Sequence, residues 1–152
     1  MMRIINEFRL DFPAISENES LARMAVSAFL LPLNPTLEEL ADVKTAVSEA
    51  VTNAVVHGYA HAPGRVRLRA AFDAEGMLTV EVCDRGCGIA DVARAREPFF
   101  TTLEGEERSG MGFTVMESFM DSVDVRSAPG AGTTVRLKKR LNLREERLAR
   151  RA

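Results

Sequence analysis

The feature that most constrains this chain is a long amphipathic helix predicted to end within residues 48–58, Ser-Glu-Ala-Val-Thr-Asn-Ala-Val-Val-His-Gly. Glu49, Asn53 and His57 recur every four residues, and each step drifts by only about 40° around a helix of about 3.6 residues per turn. The three side chains therefore form one polar stripe. Another face carries an apolar stripe that is expected to contact a core, made of Leu37, Leu40, Val43, Val47, Ala50, Val51, Ala54 and Val55.

An acid, a carboxamide and an imidazole in line are a candidate site for Mg²⁺ and phosphate, although the same pattern is more often the solvated face of a helix. Thr36 and Glu39 predict a capping box where this helix begins. Gly58 predicts its end, in the left-handed conformation that glycine favours just past a last helical turn. His57 is interpreted as bracing the helix end rather than taking part in catalysis.

A shorter helix is predicted before it. Ser16 and Glu19 have the spacing of a capping box, and the helix should run to about residue 31, where Pro32 stops it. Arg23 lies on the exposed side of this helix. From the residues alone, Arg23 is read as a solvated arginine, with partner binding as the alternative.

The remaining regular segments alternate between apolar and polar residues, as half-buried strands do. Period two places Asp84 at the end of one strand, on the same face as Val80 and Val82. A lone carboxylate on an apolar face is costly unless a group donates a hydrogen bond to it, so Asp84 is a candidate ligand-binding residue. The predicted strands are residues 3–12, 65–72, 77–84, 122–127 and 133–138.

Two glycine pairs follow in the second half of the chain. Gly86 and Gly88 come directly after Asp84 and allow a tight turn that can approach a flat ligand closely. Gly110 and Gly112 open a predicted helix, whose N-terminal N–H groups and dipole favour phosphate. Between the pairs, residues 96–109 are polar and without periodicity, which predicts a mobile loop. There is no dinucleotide fingerprint, Walker motif or protein-kinase His-Arg-Asp motif.

Composition excludes several classes of function. At 152 residues, 46% hydrophobic and 28% charged, the chain is typical of one globular domain. A formal charge of −2 without a basic block argues against general nucleic-acid binding. No apolar run is long enough to span a bilayer and no signal-peptide pattern is present, so the cytosol is the expected location. Cys83 and Cys87 are interpreted as filler thiols.

Taken in their order along the chain, the polar helical stripe, Asp84 and the two glycine pairs resemble the motifs of the GHKL (Bergerat-type) ATP-binding domains. Hsp90, gyrase B, histidine kinases and MutL share these domains. Within that family, the chain is most similar to the anti-sigma factor serine kinases of spore-forming bacteria. The resemblance covers about residues 3–140. It rests on the sequences at residues 16–20, 48–54, 57–59, 100–102 and 107–114.

The resemblance implies a two-layer α/β (α+β) sandwich, with helices on one face of a mixed, mostly antiparallel sheet and a mobile lid over ATP. Asp84 would accept a hydrogen bond from the adenine amino group. Gly86 and Gly88 would let the backbone pass close to the base, and Thr133 would support the adenine end. The domain would comprise residues 1–140, followed by a charged tail at residues 141–152.

At the phosphate end, the resemblance implies that Asn53 coordinates Mg²⁺, an ion that prefers oxygen ligands. Gly110 and Gly112 would cradle phosphates through backbone N–H groups, and Arg108 would reach the γ-phosphate. Glu49 would accept the proton of the attacking hydroxyl. The other residues expected at the nucleotide are Thr101, Thr102, Ser109 and Met111.

The resemblance also implies partners. The hydroxyl would belong to a serine of an anti-anti-sigma protein, and the chain would hold a sporulation sigma factor of the sigma-F type. Arg23 would contact both partners, which would make their binding mutually exclusive. A homodimer is expected, with the exposed edge of the first strand as a candidate interface.

Several alternatives stay open. The chain could be a nucleotide-dependent sigma-binding module in which Glu49 never acts as a base, or a stress-response anti-sigma kinase of the same family. A histidine-kinase catalytic domain is disfavoured because only about twelve residues precede the first helix and no phosphoacceptor helix is present. An ATPase of the Hsp90 or gyrase type would use Glu49 to activate water, and normally has further domains.

Overall fold

The computed structural model describes residues 3–97 and 112–142. Its strands are β1 (Ile4–Pro13), β2 (Arg65–Asp73), β3 (Met77–Asp84), β4 (Ser122–Ser127) and β5 (Thr133–Arg140). Its α-helices are α1 (Asn18–Leu30), α2 (Leu37–Thr52), α3 (Val92–Ala95) and α4 (Gly112–Phe119). A 3₁₀ turn (Leu31–Leu33) follows α1, and a π-helix (Asn53–Gly58) continues directly from α2.

The five strands form one sheet in the order β1-β2-β3-β5-β4. The expectation of a mixed sheet is wrong for the described residues, because all four neighbouring pairs run antiparallel. The expected strands are otherwise present, each with bounds that differ by two residues or fewer. The β3–β5 register pairs Asp84 with Thr133, so the two residues assigned to the adenine end are cross-strand neighbours.

The helices pack on one face of the sheet, as expected for a two-layer fold. Alternate residues of β2 and β3 point into this layer, where they meet the apolar faces of α1 and α2. The predicted apolar stripe of the long helix is buried from Val43 onward. Leu37 is the exception, since its side chain is 87% exposed at the first residue of α2, where no described element covers it. Leu40 is partly buried against the core.

The two predicted capping boxes have different outcomes. The Thr36 hydroxyl accepts from the Glu39 N–H at 3.0 Å and the Glu39 carboxylate accepts from the Thr36 N–H at 2.9 Å, so this box is confirmed. The Ser16 box is wrong. Helix α1 begins at Asn18 and has no side-chain cap: the Glu19 N–H donates to the Ser16 backbone carbonyl at 3.2 Å, and the Glu19 carboxylate binds Arg23.

Candidate nucleotide and phosphoryl-transfer site

Glu49 and Asn53 lie one helical turn apart on the same side of the helix, both half-buried. The first residue of α4, Gly112, lies against them. A Cβ atom built on Gly112 would be 3.2 Å from Asn53 Oδ1 and 3.4 Å from Glu49 Oε2. Gly112, the described residue of the second glycine pair, therefore lies beside the predicted acid and amide. Because residue 112 has no side chain, the space next to these two groups stays open.

The helix widens just after this pair. Over Asn53–Gly58 it is a π-helix, and the Tyr59 N–H donates to the Ala54 carbonyl at 3.0 Å, five residues back. π-Turns inside helices are frequent at functional sites. The predicted left-handed conformation of Gly58 is wrong, since the positive φ angles near this helix end belong to Ala60 and His61, at 50° and 62°.

Gly58 has another reason to be glycine. A Cβ atom there would lie 2.9 Å from the Asp84 carboxylate, which is too close for a side chain. A Cβ atom on Gly86 would in turn collide with the Gly58 carbonyl. The Cys87 N–H donates to that same carbonyl at 2.8 Å. Residues 58 and 86 are therefore small because the helix end and the loop after β3 touch through their backbones.

Asp84 occupies the position that period two predicts, with its side chain turned into the helix layer and the residue only 6% exposed. Its Oδ1 atom accepts from the Gly86 N–H at 2.8 Å, and its carboxylate also accepts from the Thr133 N–H. Burial raises the pKa of Asp84 above its ordinary value, and these two backbone hydrogen bonds lower it only in part. A buried carboxylate with lone pairs to spare suits a ligand that brings its own N–H donor.

Gly88 turns the loop back towards β4 with a φ of +76°. A Cβ atom there would collide with the Ala128 carbonyl, so the close approach and the left-handed conformation both require glycine. The Gly130 N–H donates to the Cys87 carbonyl at 2.7 Å and joins this loop to the β4–β5 turn. The first glycine pair is thus packed between the end of the π-helix and the last hairpin.

Two residues that position this loop are missing from the sequence prediction. The Tyr59 hydroxyl accepts from the Arg85 N–H and donates to the Arg65 carbonyl, both at 2.7 Å. The Ser127 hydroxyl accepts from the Ile89 N–H at 2.7 Å and lies 2.8 Å from Thr133 Oγ1. Tyr59 is the single tyrosine of the chain, which is a weak signal, whereas nothing local distinguishes Ser127 from an ordinary strand-end serine.

Arg23 connects the two long helices. Its guanidinium Nη1 donates to Glu19 Oε1 at 2.9 Å and to Ser48 Oγ at 3.4 Å, and Nη2 donates to Ser20 Oγ at 3.3 Å. Its side chain remains 35% exposed. Arg23, which is expected to bind partners, therefore contacts Ser48, the residue before Glu49, and remains partly exposed to solvent.

The His57 carbonyl accepts from the Cys87 thiol at 3.3 Å, and both cysteines are free. Within residues 3–97 and 112–142, no group of three or more His, Cys, Asp or Glu side chains is arranged to hold a metal ion. The predicted mobile loop lies almost entirely outside the described residues, as does the tail beyond residue 142. The site residues Thr101, Thr102, Arg108, Ser109, Gly110 and Met111 also lie outside them.

Comparison with known proteins identifies the family of this chain. The profile of the family described as "Histidine kinase-like ATPase domain" matches residues 12–139. An anti-sigma F factor of Thermoanaerobacter sp. is 51% identical over 138 residues, covering 91% of this chain and 96% of that protein. An anti-sigma F factor of Halalkalibacterium halodurans is 53% identical over 137 residues, covering 90% and 93%. The chain belongs to the anti-sigma F factor family, within the histidine kinase-like ATPase domains.

Solved structures agree on the fold. A Mycobacterium tuberculosis protein that contains RsbU and RsbW domains superimposes with a TM-score of 0.66 at 22% identity, over 90% of this chain and 32% of that one. At this identity the likeness speaks only for the fold, which is the α+β arrangement of the kinase-like ATPases. None of the helices in the described part of the chain has the length and apolarity that crossing a membrane requires.

Proposed function

We propose that this chain is an anti-sigma factor that holds a sporulation sigma factor of the sigma-F type and also acts as a Mg²⁺- and ATP-dependent serine protein kinase. Its substrate is an anti-anti-sigma protein, which phosphorylation inactivates. The observation that carries the kinase half of the proposal is the position of Glu49, whose carboxylate lies against Gly112 at the start of α4 and one turn from Asn53. Family membership supports the anti-sigma half.

The residues at the adenine end fit a purine. Asp84 keeps a buried acceptor in a space bounded by two glycines, Gly58 and Gly86, at which a side chain would be too close. The adenine amino group would donate to this carboxylate, and the backbone of Gly86 and Gly88 would pass the base closely. Thr133 would hold the carboxylate through its N–H group, with its hydroxyl fixed by Ser127.

The phosphate end fits a Mg²⁺-bound triphosphate. Asn53 offers a hard amide oxygen, and Gly112 leaves room for phosphate beside it. When bound, Mg²⁺ would neutralise phosphate charge and orient the group to be transferred. Arg108 would add a positive charge at the γ-phosphate. The remaining phosphate contacts are assigned to Thr101, Thr102, Ser109, Gly110 and Met111.

The role of Glu49 as a proton acceptor distinguishes a kinase from a binding module. In the transfer, the serine oxygen forms a bond to the γ-phosphorus, the bond from that phosphorus to the bridging oxygen breaks, and ADP leaves. Glu49 accepts the proton that the serine hydroxyl releases.

Arg23 would contact both protein partners from the exposed side of the α1–α2 pair. The chain would work as a homodimer in the cytosol, and β1, at the edge of the sheet, is the candidate interface.

The experiment combines two readouts on the purified chain. Binding of the sigma factor is measured with ATP, with ADP and without nucleotide, and the intact mass of the anti-anti-sigma protein is measured after incubation with Mg²⁺ and ATP. The proposal predicts nucleotide-dependent binding and a gain of one phosphate on serine. Binding without any phosphate gain would instead identify a nucleotide-dependent sigma-binding module.

A further inference from the structure

A cleft of about 400 Å³ separates α1 from α2 on the outer side of the helical layer. Glu19 and Arg23 line it from α1, and Lys44, Ser48 and Glu49 line it from α2. On the α2 side, the side chains at residues 41, 45 and 48 are small, and Arg23 crosses the cleft to donate to Ser48 at 3.4 Å.

The Glu49 side chain borders two different spaces. It lines this cleft, and its carboxylate also lies beside Gly112 and Asn53, where the phosphates are proposed to bind. A hydroxyl that enters along the cleft would therefore reach the same carboxylate that borders the proposed phosphate position. A general base needs this placement, within reach of both the attacking hydroxyl and the phosphate end.

The charged side chains along the cleft differ in how they are paired. The Glu19 carboxylate is paired with Arg23 at 2.9 Å. Within residues 3–97 and 112–142, by contrast, the partly exposed Lys44 ammonium makes no hydrogen bond or ion pair. Among the described residues, Lys44 is therefore a cation without a partner of its own, one to two turns before Glu49 on the same helix, in a cleft that carries two acidic and two basic side chains. A positive charge in this position favours a chain segment that carries a carboxylate.

We infer that this cleft admits the serine-bearing segment of the phosphate acceptor, and that Lys44 selects acceptors with an acidic residue beside that serine. The inference rests on the proposed kinase function and adds a specificity-determining residue to it. The sigma factor is not a proposed phosphate acceptor, so it does not need to present a hydroxyl to Glu49. Lys44 thus discriminates between the two partners, whereas Arg23, at the exposed end, is expected to serve both.

The test uses steady-state phosphorylation of the anti-anti-sigma protein by the wild type, Lys44→Ala, Lys44→Glu and the matched control Lys138→Glu. Lys138 lies on β5, on the sheet face away from the helices, and its replacement makes the same change of charge. Lys44→Glu should raise the KM for the acceptor by about tenfold and Lys44→Ala by about threefold, in line with a single charge contact. kcat, ATP affinity and sigma-factor binding should stay within about twofold of the wild type, and the KM difference should shrink at high salt.

Arg23→Ala provides the comparison, since it should weaken the binding of both partners without changing the affinity for ATP. An unchanged KM in Lys44→Glu, or a loss of sigma-factor binding equal to the loss of acceptor binding, would overturn the inference while leaving the kinase intact. If the wild type transfers no phosphate to the acceptor, the proposed function fails and this inference fails with it. The wild-type reaction therefore distinguishes the two failures.

Discussion

Asp84 shows at the residue scale how a binding site can work against stability. Burial raises the pKa of its carboxyl, whereas in the unfolded chain that carboxyl titrates near its ordinary value of 3.8. Between these two pKa values the folded state holds a proton that the unfolded state has lost. Stability therefore falls as pH rises through this interval and levels off above the raised pKa. Above the raised pKa, the charged Asp84 costs folding free energy, which a ligand with an N–H donor would offset.

Replacing Asp84 by Asn tests this balance. As pH rises from about 3 through the raised pKa, the unfolding free energy of the variant should improve relative to the wild type, and the difference should then stay constant. Urea unfolding of both proteins across this range, without nucleotide, measures it. The variant should also lose the stabilisation of about 2.7 kcal/mol expected at ATP a hundredfold above Kd. A pH-independent difference, or unchanged ATP stabilisation, would contradict the assigned role.

Residue-scale prediction from sequence succeeds where the signal is local. Period two placed Asp84 on the buried face of its strand, and the i, i+4 spacing placed Glu49 and Asn53 on one side of α2 and its π-helical continuation. Tyr59 and Ser127 could not be found in this way. Their hydroxyls join backbone groups of loops that meet only once the sheet has formed.

At the scale of elements, the loop after β3 is positioned by backbone contacts on both sides. Gly88 and Gly130 offer a matched pair of substitution sites, because their φ angles are +76° and +77°. A Cβ atom added to Gly88 would collide with a carbonyl, whereas one added to Gly130 would meet no atom within 4 Å. Gly130→Ala should cost about 1 kcal/mol of unfolding free energy from the left-handed conformation alone.

Gly88→Ala adds a collision with the Ala128 carbonyl, so its total cost should reach about 3 kcal/mol. It should also weaken ATP binding, whereas Gly130→Ala should leave the affinity unchanged. Urea unfolding and ATP titration of the two variants measure both effects. Equal costs for the two substitutions would show that the loop moves freely away from the β4–β5 turn.

The capping residues give a second comparison at this scale. Thr36→Ala removes the hydroxyl that accepts from the Glu39 N–H and should cost about 1 kcal/mol. Ser16→Ala should change stability by less than about 0.5 kcal/mol, because Ser16 caps nothing through its side chain. Thermal or urea unfolding resolves the difference. A Ser16→Ala cost as large as that of Thr36→Ala would restore the capping box predicted from sequence.

Two helix ends differ in detail from the local pattern. Ser16 and Glu19 have the spacing of a capping box, but the Glu19 N–H donates to the Ser16 carbonyl at 3.2 Å and the Glu19 carboxylate binds Arg23. Gly58 ends the helix, as predicted, but it closes a π-turn against the loop after β3 and does not adopt the left-handed conformation. Spacing alone cannot decide such details, because they depend on which contacts form in the folded protein.

At the scale of the whole molecule, the helical layer carries the site, and the opposite face of the sheet carries charged residues in cross-strand ion pairs. Arg69 bridges Glu7 and Glu81, which raises the pKa of its guanidinium, and Arg136 also binds Glu81. The strands and the two long helices could be predicted from periodicity. The insertion of β5 between β3 and β4 could not, since it depends on pairing between residues about fifty to sixty positions apart.

The account depends most on Glu49 as the proton acceptor, set between the proposed phosphate site and the cleft between α1 and α2. The most direct measurement is single-turnover phosphate transfer to the anti-anti-sigma protein by Glu49→Gln, with Mg²⁺-ATP affinity measured in parallel. Glu38→Gln is the control, being the same substitution at an exposed position in the first turn of α2. Glu49→Gln should bind ATP within about twofold of the wild type and transfer phosphate about 10² to 10⁴ times more slowly, while Glu38→Gln should match the wild type. Transfer at the wild-type rate by Glu49→Gln would contradict the account.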